Sequence, residues 1–387
     1  MVSPWGQRTR GAIKQRTLDL VQFVRINDLT RLVLLGHLLF LSLLFAQPTV
    51  ADDATFLGNK ACAGCHESQV KDWTGSHHDL AMQEATAQTV LGDFNNAKFV
   101  YEGVTTTFFK REGAYWVNTD NEKGELADYP VEYVFGVYPL QQLLLPTKKG
   151  GLNALSIAWD SRKAVEGGQR WYHIYEGQEP ITSDSPLHWT GIYHNWNSRC
   201  AECHSTNVVK GYDPKRRSYQ TTYDQIDVGC ESCHGPGSDH VSLMTAQSQA
   251  KSSANVSSLG SANEHPKRTL GHLSAADMGF ELALAARGQW VRAPHEDIAH
   301  RSRPLENTVQ ADNCGRCHSR RATLGDYHYG QSLLDTHRLS VLESPLYWHD
   351  GQIRDEVYVY GSFMQSKMAQ AGVVCSNCHN PHSNQLV

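Results

Sequence analysis

The sequence predicts an α+β protein: short helices and loops organised around a five-fold motif, with an inserted β-meander between the first and second copies. Three observations predict it. Cys-x-x-Cys-His occurs five times. Short β-branched and aromatic runs bounded by turn residues gather in residues 97–178. From residue 179 onward four copies of the motif crowd together, which leaves room for little but short helices and long loops.

The motifs are Cys62-Ala-Gly-Cys65-His66, Cys200-Ala-Glu-Cys203-His204, Cys230-Glu-Ser-Cys233-His234, Cys314-Gly-Arg-Cys317-His318 and Cys375-Ser-Asn-Cys378-His379. All ten cysteines of the chain fall in them. Their starts lie 138, 30, 84 and 61 residues apart, so the repeated unit is the motif and not a structural repeat of fixed period. Two thiols three residues apart sit on one helical turn and reach the two vinyl groups of one porphyrin. The next residue, His, then offers an imidazole nitrogen to the iron. The pattern therefore predicts five covalent c-type haems. Zinc sites do not need His after each second Cys, and a thioredoxin-like motif occurs once. The close starts at 200 and 230 predict two haems in near contact.

The β-rich segment reads from the runs Phe99–Tyr101, Thr105–Phe109, Tyr115–Val117 and Val131–Phe135. Turn signals at Glu112-Gly113 and Asp120–Gly124 separate them, and Leu155–Trp159 and Arg170–Tyr175 add two more strands. Helices are expected over Ser68–Leu91 and over 274–292, with Ser274 as N-cap. The Ser/Ala-rich stretch 245–261 reads as a flexible surface loop.

Residues 1–51 read as an export signal. Arg8, Arg10, Lys14, Arg16, Arg25 and Arg31 precede an apolar run, Leu32–Ala46, and then the small-residue site Thr49-Val50-Ala51. The alternative is an uncleaved anchor helix that tethers the protein to a membrane. The domain reading is 1–51 signal, 52–96 first haem segment, 97–178 β-rich insertion and 179–387 four-haem region. The expected location is periplasmic or otherwise exported. A net charge of -5, with no basic run, excludes a nucleic-acid surface.

Twenty histidines supply the rest of the chemistry. His66, His204, His234, His318 and His379 are the proximal ligands. His240 and His382 each follow a motif beyond a chain break, at Gly235-Pro236-Gly237 and Pro381, and are expected to reach a neighbouring haem. His78 is preferred over His77, and His188 and His337 complete the ligand candidates. His173, in a strand-like run, reads as a core histidine, whereas His194, His328 and His349 stay open. His265, His272, His295 and His300 are not expected to bind iron.

With these motifs in place the chain resembles a known family. Trp73-x-x-Ser76-x-His78-x-x-Ala81 and Cys230…His234-Gly-Pro-Gly-Ser-x-His240 look like multihaem cytochromes related to the tetrahaem electron acceptor of hydroxylamine oxidoreductase. Ser185-Pro-Leu-His188-Trp-Thr-Gly…Cys200…His204-Ser-Thr is closer still to bacterial multihaem cytochromes with C-terminal tetratricopeptide repeats, which this sequence lacks. So is Tyr358–Met368…Cys375…His379-Asn-Pro-His382. The resemblance covers about residues 56–387. It implies that His78, His240 and His382 are distal ligands. It also implies a departure at the last motif, where Ser366-Lys367-Met368 stands in place of Ser-x-His.

A haem iron with two protein ligands has no open position, so the expected function is electron transfer between a redox protein donor and an acceptor. One rival is a multihaem oxidoreductase acting on a small nitrogen or sulfur compound at one open haem, with Tyr172, His173 and Tyr175 near its pocket. The other is a binding module in which the β region docks a partner.

Overall fold

The computed structural model describes residues 53–255, 276–284, 289–355 and 357–387, and residues Ala54–Val387 form one unit. The segment read as an export signal, and residues 256–275 and 285–288 within 245–292, lie outside the described residues. Among the described residues no helix is long and apolar enough to cross a membrane.

The β-branched runs become two antiparallel sheets. Strands β2 (Ala97–Tyr101), β3 (Val104–Arg111), β4 (Ala114–Asp120) and β5 (Leu126–Pro130) pair in chain order. The second sheet starts outside the expected segment, with β1 (Met82–Glu84), and runs through β6 (Tyr133–Phe135) and β7 (Leu140–Pro146). It ends at β9 (Ile157–Asp160) and β10 (Arg170–His173), while β8 (Leu152–Ala154) also pairs with β7.

Strand β7 shows how the sheets position the motifs. Side chains alternate across a strand, so Leu143 and Leu145 join one buried cluster with Phe94, Phe108, Val117, Trp159, Trp171 and Trp189. Leu144 joins another with Met82, Phe135, Trp196 and Ala201. Trp196 and Ala201 belong to α3 (Trp196–Arg199) and α4 (Ala201–His204), the helical turns that carry the second motif. The second sheet is thus apolar on both faces, with the first sheet behind it and a motif in front.

Trp171 organises the rear cluster. Its ring lies face to face with Phe108, centroids 3.7 Å apart and planes 3° from parallel, and Phe94 meets both edge-on. The indole N–H donates to the Asp93 carbonyl at 3.1 Å. A Cβ on the neighbouring Gly92 would stand 2.5 Å from the indole, so only glycine fits there.

Three expectations are corrected. Ser68–Leu91 is not one helix: α2 (Glu67–Trp73) stops after two turns, and Gly75, at φ 79°, turns the chain toward β1. Residues 245–255 are not loop but the end of α6 (Ser238–Asn255); alanine and glutamine suit a helix even without an apolar stripe. In the described part of 274–292 there is only a 3₁₀ turn at Ala276–Met278 and a two-residue strand at Trp290–Val291.

Candidate functional site

Each motif folds as a single helical turn, closed by the same backbone bonds. In the first, the Cys65 and His66 amides donate to the Cys62 carbonyl at 3.2 and 3.0 Å. The pattern recurs from Cys203 and His204 to Cys200, from Cys317 and His318 to Cys314, and from Cys378 and His379 to Cys375. The third motif is α5 (Cys230–His234). This turn puts both sulfurs and the imidazole around one ring-sized space. All ten thiols are free.

The motifs meet through their sulfurs. The Cys230 thiol donates to Cys62, Cys203 to Cys317 and Cys314 to Cys375. Each bond raises the donor's pKa and lowers the acceptor's, which brings Cys317 and Cys375 to about 7. Burial pushes Cys200 up to about 12 and Cys233 to about 11. The second motif therefore has its sulfur contact with the fourth, and the third with the first. The second and third still adjoin, through Thr206 and Ser232 hydroxyls 2.8 Å apart. Arg316, in the fourth motif, donates to the Ser232 carbonyl at 3.0 Å and lies 4.1 Å from the centre of the Tyr327 ring.

The histidines distant in sequence come together in pairs. Ring centroids are 6.1 Å apart for His66 and His240, 6.4 Å for His78 and His318, and 6.4 Å for His234 and His382. Two imidazoles bound on opposite sides of one metal, at about 2 Å each, place their ring centres roughly 6–6.5 Å apart. Three motif histidines thus face a second imidazole across a gap the size of one metal ion. Histidine also meets aromatic rings at similar spacing, as His188 meets Trp189 at 6.1 Å and His337 meets Tyr327 at 6.3 Å, but in the three motif pairs both rings are imidazoles that can bind metal.

Orientation agrees with spacing. The Nδ1 of His240 lies 2.6 Å from the Met278 carbonyl, that of His78 3.2 Å from the Pro381 carbonyl, and that of His204 2.9 Å from the Ala81 carbonyl. At His240 and His204 an Nδ1–H donated to the carbonyl fixes the tautomer and leaves Nε2 as the ligating atom, whereas His78 Nδ1 is also 3.1 Å from the Asn384 amide nitrogen. Burial, then the neighbouring His382, His66 and His240, lowers His234 to about 4. Burial first, then His318, also depresses His78. Such rings stay neutral, the form that binds metal.

The structure does not bring His188 or His337 to a motif histidine. His188 has Nδ1 2.8 Å from the Thr190 hydroxyl and Nε2 3.2 Å from Asp120. His337 has Nδ1 2.9 Å from the Thr336 hydroxyl and Nε2 3.0 Å from Glu202. Each spends both nitrogens on side chains and has none left for iron. Burial pushes the Glu202 carboxyl up, but His337 and Arg321 outweigh it and hold it at about 2. His173 is buried in the β region and His194 in the turn before the second motif, and Met368 is 57% exposed.

Among the described residues no group of three or more His, Cys, Asp and Glu is arranged around a bare ion. Free paired thiols, a histidine on the same turn and a metal-sized gap to a second imidazole fit a haem group instead. Sequence reasoning did not foresee the carbonyls of Ala81, Met278 and Pro381, because a backbone oxygen carries no residue-type signal.

Residues 61–102 and 174–235 match the family model described as cytochrome c554 and c-prime. No curated protein matches. Similar solved structures include the outer cell wall cytochrome OcwA, 17% identical with a TM-score of 0.45, over 85% of this chain and 57% of that one. Another is the undecahaem cytochrome from the S-layer of Carboxydothermus ferrireducens, 15% identical with a TM-score of 0.29, over 88% of this chain and 53% of that one. The chain spans little more than half the length of either. The two segments matched by the family model hold the first three motifs, which supports a multihaem cytochrome family and covalent haem c.

Proposed function

We propose that the chain is an exported pentahaem cytochrome c that passes electrons between a donor and an acceptor protein. The observation that carries this reading is the set of three imidazole pairs at 6.1–6.4 Å, each joining a motif histidine to a second ring. Residues Cys62 and Cys65, Cys200 and Cys203, Cys230 and Cys233, Cys314 and Cys317, and Cys375 and Cys378 attach the five groups. His66 pairs with His240, His318 with His78 and His234 with His382 as axial ligands, while His204 and His379 are proximal ligands of the remaining two. When bound, each haem iron takes up and releases one electron.

The protein's own work is placement. Contacts that do not use sulfur hold the motifs together: Asn59 beside the first accepts from the Cys230 N–H of the third, Thr206 after the second meets Ser232 of the third, and Arg316 of the fourth donates to the Ser232 carbonyl. Carbonyls aim the imidazoles. Two ligands on an iron leave no position for a substrate, which favours a carrier over an enzyme at those three sites. Export fits the N-terminal pattern, since haem is attached after the chain has crossed the membrane.

The test is iron and haem content of the purified mature protein, together with its ferric spin-state spectrum and its reduction by small-molecule donors. Five haems per chain, at least three of them low-spin, are expected. A colourless protein, or one with sulfur–sulfur links between motifs, overturns the proposal.

A further inference from the structure

Glu231 is 2% exposed, yet its carboxylate has no ion-pair partner among the described residues. It is spent on backbone amides. Leu57 N–H donates to both oxygens at 2.9 and 3.0 Å, and Gly58 N–H donates to Oε2 at 2.7 Å. Gly237 N–H donates to Oε1 at 2.8 Å. A buried carboxylate is costly unless such donors surround it, and bonds to a charged acceptor are about twice as strong as neutral ones.

The amides belong to two arms that are distant in sequence. Leu57 and Gly58 lead into α1 (Asn59–Ala63), which carries Cys62 and, past its end, His66. Gly237 leads into α6, which carries His240. Around Glu231 the arms are laced further. Thr55 N–H donates to the Ser238 hydroxyl at 2.9 Å and Ser238 N–H to the Thr55 carbonyl at 3.2 Å. Cys230 N–H donates to Asn59 Oδ1 at 2.8 Å. Gly237 suits the approach: a Cβ there would stand 3.1 Å from Glu231 Oε1, a tight contact.

We infer that Glu231, a residue of the third motif, is the positioning residue for the axial pair of the first: its carboxylate clamps the His66 arm to the His240 arm and so sets their 6.1 Å spacing. The inference rests on the reading of His66 and His240 as one iron's two ligands. Without the carboxylate, three amides lose a buried acceptor and α6 is freed to carry His240 away. The loss is read at one site: the arms holding His78, His318 and His382 make no bond to Glu231, and His234, on the same turn, is held there by backbone bonds that a side-chain substitution leaves in place.

The experiment uses the mature holoprotein and compares E231A, H240A and the double variant by ferric EPR and haem content. E231Q, nearly isosteric, replaces E231A if that variant fails to mature. The expected result is that E231A and H240A each convert one low-spin haem to high-spin, and that the double variant converts the same one and no more. Full low-spin content in E231A while H240A loses one overturns the inference and leaves the axial pair standing. Loss of two in the double variant overturns it as well, since the two residues then act on different haems. No change in H240A removes the axial pair and the inference together.

Discussion

His78 and His318 face each other at 6.4 Å although 240 residues separate them in the chain. The first belongs to the segment after the first motif, the second to the fourth motif. Pro381, three residues from the C-terminal motif's Cys378, supplies the carbonyl that orients His78. Three motifs are therefore tied at one imidazole.

This relationship makes a direct prediction. H78A converts one low-spin haem to high-spin in the ferric spectrum, and H382A converts a different one, so a double variant loses two. H188Q and H337Q leave the count unchanged, because those rings already spend both nitrogens elsewhere. A high-spin signal from H337Q, with H78A silent, would contradict the pairing.

The number of attachment sites is read by mass. Replacing Cys375 and Cys378 together by serine lowers the mass of the denatured chain by one haem, and the same holds for each other motif in turn. An unaltered haem complement in any of the five double variants shows that motif to be unused.

Phe108 is fully buried against Trp171, so F108A leaves an aromatic-sized cavity in the rear cluster. The expected cost is about 3–5 kcal/mol of unfolding free energy. Chemical denaturation followed by tryptophan fluorescence reads it. A loss below about 1 kcal/mol argues against the stacked core.

His173 predicts an acid response. Burial, then the nearby His194 and His188, lowers it from 6.5 to about 4. The unfolded chain binds the proton first as pH falls, so the stability due to the neutral ring is complete above pH 6.5 and is lost between 6.5 and about 4. The full shift corresponds to about 3 kcal/mol. H173Q should flatten this part of the stability-versus-pH curve by up to that amount. An unchanged slope between about pH 7 and 4 refutes the assignment.

The five motifs were legible because their chemistry lies in adjacent residues: a sulfur, a sulfur and an imidazole on one turn need no tertiary information. The strands were legible for a similar reason, since runs such as Thr105–Phe109 are β-branched or aromatic throughout and are bounded by turn residues. The partners of the motif histidines were not settled in the same way. His240, His78 and His382 pair with residues 174, 240 and 148 positions away, and only packing fixes those distances. His188 and His337 look like the other candidates in sequence. What separates them is Asp120 and Glu202, two carboxylates brought in from elsewhere. Glu231 escaped notice because a single acid between two cysteines has no pattern until Leu57 and Gly237 are folded around it. The helix expected over Ser68–Leu91 failed because a glycine with positive φ turned the chain.

The interleaving of the imidazole pairs sets a timetable for a polypeptide that emerges N-terminus first. His66 waits for His240, His78 for His318, and His234 for His382. No pair closes until three of the five motifs have already appeared. On the proposed reading, each early motif until then keeps its haem with its two sulfurs and its own histidine, without the second imidazole, which would give the covalent bonds a purpose before the fold exists.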